Sequence, residues 1–292
     1  MSKLGMALGG VGTFLGAAVL GFVVMLAREA KTAGHDVQTL RAQVAELQAQ
    51  LATGAVAART GHGRANVLTS FNPDVNLPRF KESAFVDPMA SVIGDVQLGG
   101  GVYVAPFASL RGDEGQPIAL GDETNVQDGV VLHALETESH GQPVANRTYE
   151  VNGRNYAVYV GKRVSLAHQS QVHGPARIDD DVFVGMQALV FKAWVGRGSV
   201  IEPGAKVIGV VVPPGRYVRA GTVLTDQKLA DQLPEITEDY PFKGLNEAVV
   251  HVNTSFAEGY GAAARPAPAE GAAEAGGGHG EVAAQTAPAE HH

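Results

Sequence analysis

Residues 86–110 read "VDPMASVIGDVQLGGGVYVAPFASL", and Val86, Val92, Leu98, Val104 and Leu110 fall on every sixth position. A helix would bring apolar residues round every three or four positions and a half-buried strand every two, so neither element produces this spacing. The step recurs in Leu120, Val126 and Leu132, and again in Val160, Leu166, Val172, Ile178, Val184 and Val190. After a one-residue deletion it continues as Val195, Ile201 and Val207, and after another as Val212, Val218 and Leu224. One aliphatic residue per six marks hexapeptide repeats, in which three sides make one triangular coil and the aliphatic side chains point inward. The expected fold is all-β, a left-handed parallel β-helix.

Two interruptions break the period. Between Leu110 and Leu120 the excess falls in "RGDEGQPI", and between Leu132 and Val160 it is 22 residues, "ALETESHGQPVANRTYEVNGRN". Both read as loops thrown out from a rigid coil, where binding groups concentrate.

The repeat gives meaning to "SLAHQSQVHG", residues 165–174, whose His168 and His173 are too oddly spaced to share an ion from one helix or one flat strand. His133 directly follows inward Leu132 and His173 directly follows inward Val172; they lie forty residues apart, and removing the 22-residue excursion leaves eighteen, one full coil. The two stack at one corner. His168 lies on the preceding side, facing away, and needs a different partner; packing around a threefold axis would bring it to the His133/His173 pair of the next subunit. Three neutral imidazoles with an open fourth position suit a catalytic divalent ion, Zn²⁺ or Fe²⁺, and in zinc enzymes such an ion lowers the pKa of a bound water to about 7.

Composition excludes other classes. The net charge is −8, so no broad basic surface recommends nucleic acid. There is no cysteine, which removes disulfides, thiolate metal sites and thiol catalysis.

The ends read differently from the middle. Leu4 to Ala27 carries no charge and as a helix would span about 36 Å, enough for a bilayer core. An anchor helix over 1–29 is expected, with a cleaved signal as the rival; the exit "LAREAKTAG" lacks a small-x-small cleavage site. Placement is then membrane-anchored on the extracytoplasmic face, or secreted if the segment is cleaved. Ala30, Ala33, Val37, Leu40, Val44, Leu47 and Leu51 alternate steps of three and four, a short coiled-coil stalk over 30–53, with a plain amphipathic helix as the alternative. Residues 54–79 are expected to link, 80–260 to form the β-helix domain, and the Ala/Gly/Pro/Glu-rich 261–292 to be a disordered tail.

"RGDEGQPIALGDETNVQDGVVLHALE", "YAVYVGKRVSLAHQSQVHGPA", "DDDVFVGMQALVFK" and "LNEAVVHVN" together resemble the gamma-class carbonic anhydrases, from about Phe80 to Tyr260. The resemblance implies a homotrimer that reversibly hydrates CO2 to bicarbonate through a metal-bound hydroxide. It implies His133, His168 and His173 as ligands, His168 from the adjacent subunit, and a C-terminal helix over about Leu245 to Glu258. It further implies Glu114 as the active-site carboxylate, Glu136 as proton shuttle, and Asn125, Gln127 and Asn253 as polar residues lining the site. His251 departs from the family's tyrosine. Arg111, Asp113 and Asp128 look like the family's subunit-interface ion pairs, with plain surface charge as the alternative. Two other classes compete: a membrane-tethered structural β-helix in a larger complex, against which Glu114 and Glu136 argue, and a hexapeptide acyltransferase with a lone catalytic His.

Overall fold

The computed structural model describes residues 63–264. Its main body is three parallel sheets of eight, seven and seven strands, each strand two to four residues long and paired with its counterpart one coil away. Leu132 pairs with Leu110 on one side and Val172 on the other, and the column continues through Val190, Val207 and Leu224. The other two faces carry equivalent columns, for example Val104–Val126–Leu166–Val184. The inward residues lose nearly all contact with water; removing a Leu or Val side chain from water stabilises the fold by about 1.5–3 kcal/mol each. The position two residues earlier is buried as well and holds a small side chain, as at Ala90, Ala108, Val130, Val164 and Ala188. The fold is therefore a parallel β-solenoid of hexapeptide-repeat type.

The corners explain the period. Phe107, Glu123, Arg163, Gln169, Asp181 and Gln187 take φ of 51–63°, and each lies three residues after an inward aliphatic. After Val190 and Val207, where the step shortens to five, the left-handed residue comes one earlier, at Lys192 and Gly209. The deletions tighten a corner and leave the columns in register.

Two boundaries differ from the sequence expectation. Residues 63–79, assigned to the link, are structured: Gly63 and Arg64 pair with Val92 and Ile93, so the solenoid begins before residue 80. Asn66 then closes a loop by donating to the Asp74 carbonyl at 2.7 Å and accepting from the Asn76 amide at 2.7 Å. The C-terminal helix is longer than expected and takes in residues 261–263. Helix α1, Gln227–Asp231, caps the solenoid, the Gln227 side-chain amide both donating to and accepting from the Val211 backbone at 2.8 Å. Helix α2, Leu245–Ala263, lies along the solenoid with Val250, Asn253 and Ala257 buried. The ring of Tyr103 meets those of Phe256 and Tyr260 there. The expected anchor helix, the coiled-coil stalk and the tail beyond 264 lie outside the described residues, among which no helix is long and apolar enough to cross a membrane.

Asp122 braces four successive coils, its own and three others. Its Oδ1 accepts from Lys81 Nζ and from the Gly100 amide, both at 2.9 Å, and its Oδ2 lies 3.3 Å from Lys162 Nζ. The Lys81 hydrogen bond, then that from Gly100, hold its carboxyl down at about 2. A carboxyl depressed in the folded state stabilises above its ordinary range of about 4 and stops doing so as pH falls towards about 2. The brace is partly solvated, so Asp122→Asn is expected to cost about 1 kcal/mol at neutral pH. Denaturation of the two proteins at pH 7 and pH 2.5 checks this: the gap in stability should narrow markedly at the lower pH.

Candidate metal centre

His133 and His173 end two paired strands, Val131–His133 and Gln171–His173, and are each other's partners in the register. Their ring centroids are 4.8 Å apart, and His173 in turn packs edge-on against Phe191 at 5.1 Å. The next residue matters to this stacking. A Cβ on Gly174 would stand 2.5 Å from the Ala157 carbonyl oxygen and 2.7 Å from the Ala134 Cβ, so only glycine lets the chain leave His173 this close to its neighbour.

Glu114 closes the site from the short excursion. Its Oε2 accepts from the Ala134 amide at 3.2 Å and lies 2.8 Å from His133 Nδ1. That second contact is out of line for a hydrogen bond, leaving Nδ1 shielded from water and without an aligned partner. Burial, and next the neighbouring Asp113 charge, push the Glu114 carboxyl up to about 7, while Arg111, the Ala134 amide and His173 pull the other way. Arg111 lies 3.6 Å from Glu114 Oε1 and donates to Asp113 at 3.3 Å, so these charges are paired within one chain. Burial and the Arg111 charge lower the pKa of His133, favouring the neutral imidazole that can bind a metal.

His168 is in another place. On the adjoining face its Nδ1 donates to Asp128 Oδ2 at 2.9 Å. With Gln127, Asp128, Met186 and Asn253 it lines a largely apolar groove of about 610 Å³ between the solenoid and helix α2. Gln127 Nε2 donates to Asn125 Oδ1 at 3.1 Å, and Asn125 Nδ2 donates to Ser165 Oγ at 2.9 Å, which fixes the Gln127 amide. Asn253 donates to the Val249 carbonyl of its own helix. Glu136 is on the long excursion, part exposed, with Oε1 3.7 Å from Arg147.

One chain therefore presents two separate clusters, Glu114 with His133 and His173 in one, and Gln127, Asp128, His168 and Asn253 in the other. Among the described residues no three His, Cys, Asp or Glu side chains of this chain converge on a metal position. The donor chemistry fits a divalent ion nonetheless. Nδ1 of His168 is held by a carboxylate, Nδ1 of His173 donates to the Gly174 carbonyl at 3.0 Å, and Nδ1 of His133 faces Glu114. For His168 and His173 that hydrogen bond fixes the tautomer and leaves the Nε2 lone pair for a metal, the usual support of ligating imidazoles, whereas the Glu114 oxygen beside His133 is out of line to do so.

Asp128 as the support of His168, and Ser165 as the anchor of Asn125, were not expected from the sequence. The signal was available: Asp128 and His168, like Asn125 and Ser165, are forty residues apart, the same one-coil interval that pairs His133 with His173.

Fold and site define a hexapeptide-repeat solenoid with two imidazoles stacked at one corner and a third on the adjoining face. The chain is 56% identical over 198 residues to a carbonic anhydrase of Methanosarcina thermophila, spanning 68% of this chain and 80% of that one. It belongs to the gamma-class carbonic anhydrases. Gamma carbonic anhydrase 2 of Arabidopsis thaliana mitochondria is 28% identical over 60% of this chain and 59% of its own length. The carboxysome assembly protein CcmM of a Nostoc species is 43% identical over 58% of this chain, which spans only 30% of that protein. No family model matches the chain. Among solved structures, a hexapeptide transferase family protein of Anaplasma phagocytophilum aligns with 63% of this chain and 93% of its own at 24% identity and a TM-score of 0.49.

Proposed function

We propose that this protein catalyses reversible CO2 hydration as a homotrimer, each active site formed from the His133/His173 half-site of one subunit and the His168 half-site of the next. The observation that carries this reading is that His168, like His173, donates from Nδ1 to an oxygen and keeps Nε2 free, although only His133 and His173 meet within one chain. His133, His168 and His173 would hold Zn²⁺ or Fe²⁺. The ion, when bound, supplies a nucleophile at neutral pH by Lewis acidity.

The rest is done by the chain. Glu114, held by the Ala134 amide and flanked by Arg111, orients the attacking group and accepts its proton. Gln127, immobilised through Asn125, offers an amide that orients without titrating. The apolar wall of the groove accepts CO2, which has no charge to solvate. Glu136, part exposed at the rim and three residues past His133, carries the proton out to buffer.

Stopped-flow CO2 hydration by the metal-loaded full chain tests this, with Glu136→Ala as the diagnostic variant. The variant is expected to lose about tenfold in kcat at low buffer and to recover most of it in concentrated imidazole, because proton export then limits turnover. An equal loss at every buffer concentration would show that Glu136 does something other than carry protons. A folded, metal-loaded wild type without hydration activity would favour the scaffold reading, with which the CcmM similarity is compatible. Tethering through residues 1–29 and a coiled-coil stalk, on the extracytoplasmic face of a membrane, complete the proposal and rest on sequence pattern alone.

A further inference from the structure

Thr137 is almost wholly buried at the root of the long excursion, and none of the roles above uses it. Its hydroxyl donates to the Glu114 carbonyl at 2.9 Å and accepts from the Gln116 amide at 2.6 Å. Its own amide donates to the same Glu114 carbonyl at 2.9 Å, and its carbonyl accepts from Val144 at 2.9 Å, which ties down the hairpin of Glu138–Ser139 and Gln142–Pro143. One residue therefore grips the short excursion on both sides of Gly115 and the long excursion beside Glu136. Gly115 has φ of +103°, and a Cβ there would stand 2.2 Å from Thr137 Oγ1, so glycine is needed for the hydroxyl to reach in.

We propose that Thr137 is a positioning residue whose hydroxyl clips the acidic excursion to the base of the shuttle loop and so holds Glu114 against His133. This rests on the reading of Glu114 given above. The Glu114 side chain is restrained by the Ala134 amide and Arg111, but its backbone is fixed by Thr137. The task needs a group that donates and accepts at once, as a hydroxyl does. Valine has the same shape and can do neither, leaving the Gln116 amide unpaired, whereas serine keeps both bonds.

The test is a double-mutant cycle on the full chain, with metal content and melting temperature confirmed and kcat/KM for CO2 hydration measured at saturating buffer. Thr137→Val is expected to lower kcat/KM about tenfold, since a small misplacement of a reacting group is enough for that. Thr137→Ser should stay within about twofold of wild type, and in a Glu114→Ala background Thr137→Val should add less than about twofold. A residue that merely stabilises the loop would show no such coupling. Wild-type kcat/KM in Thr137→Val, or an undiminished tenfold loss on top of a slow Glu114→Ala, overturns the clip alone. A Glu114→Ala protein with wild-type kcat/KM would instead refute the role given to Glu114. If Thr137→Val does not fold, Gly115→Ala enters the same clip from the other side and is read in the same cycle, with the same two outcomes deciding.

Discussion

A chain carrying His133→Ala and a chain carrying His168→Ala, each inactive alone, should regain roughly a quarter of wild-type CO2 hydration when refolded together one to one. Each variant destroys one half-site and leaves the other intact. In a closed threefold ring, a mixed trimer contains one junction at which an intact His133/His173 pair meets an intact His168. Random assembly makes roughly three quarters of the trimers mixed, and each has one working site of three. Metal content should follow activity, near zero in each parent and about a quarter of wild type in the mixture. Verified mixed trimers with no activity would rule out a site shared between subunits, because ligands meeting within one chain cannot complement.

Glu114→Ala should lower kcat/KM by about 10²–10³ at every buffer concentration, within the range for loss of a positioned proton-transfer group. The carboxylate lies against His133 and the Ala134 amide, inside the site, so external buffer cannot replace it as it replaces Glu136. Stopped-flow measurement with and without imidazole separates the two. Rescue of Glu114→Ala by imidazole to the wild-type rate would mean that Glu114 only relays protons to solvent.

The solenoid was legible because its contacts are periodic. Once the coil is known to hold eighteen residues, sequence separation alone gives register, and Leu110, Leu132 and Val172 stack as the period requires. The same regularity pairs His133 with His173, and would have placed Asp128 beneath His168 had the interval been applied to every polar residue. The excursions carry no period. Nothing in "RGDEGQPI" or in residues 134–155 says that Thr137 reaches Glu114, because that contact depends on the path of two irregular loops. For the same reason residues 63–79 read as a link: Asn66 and Asn72 are buried by closing a loop on themselves and give no apolar repeat.

Counting along the chain is enough for the coil, its register and the stacking of His133 on His173, since in a parallel solenoid each residue's neighbours lie at a near-constant interval. What the irregular segments do emerges only on folding: the placement of Glu114 at His133, the grip of Thr137 and the groove between helix α2 and the solenoid. These depend on side chains from unrelated positions meeting by packing and hydrogen bonding, for which the chain carries no counting rule.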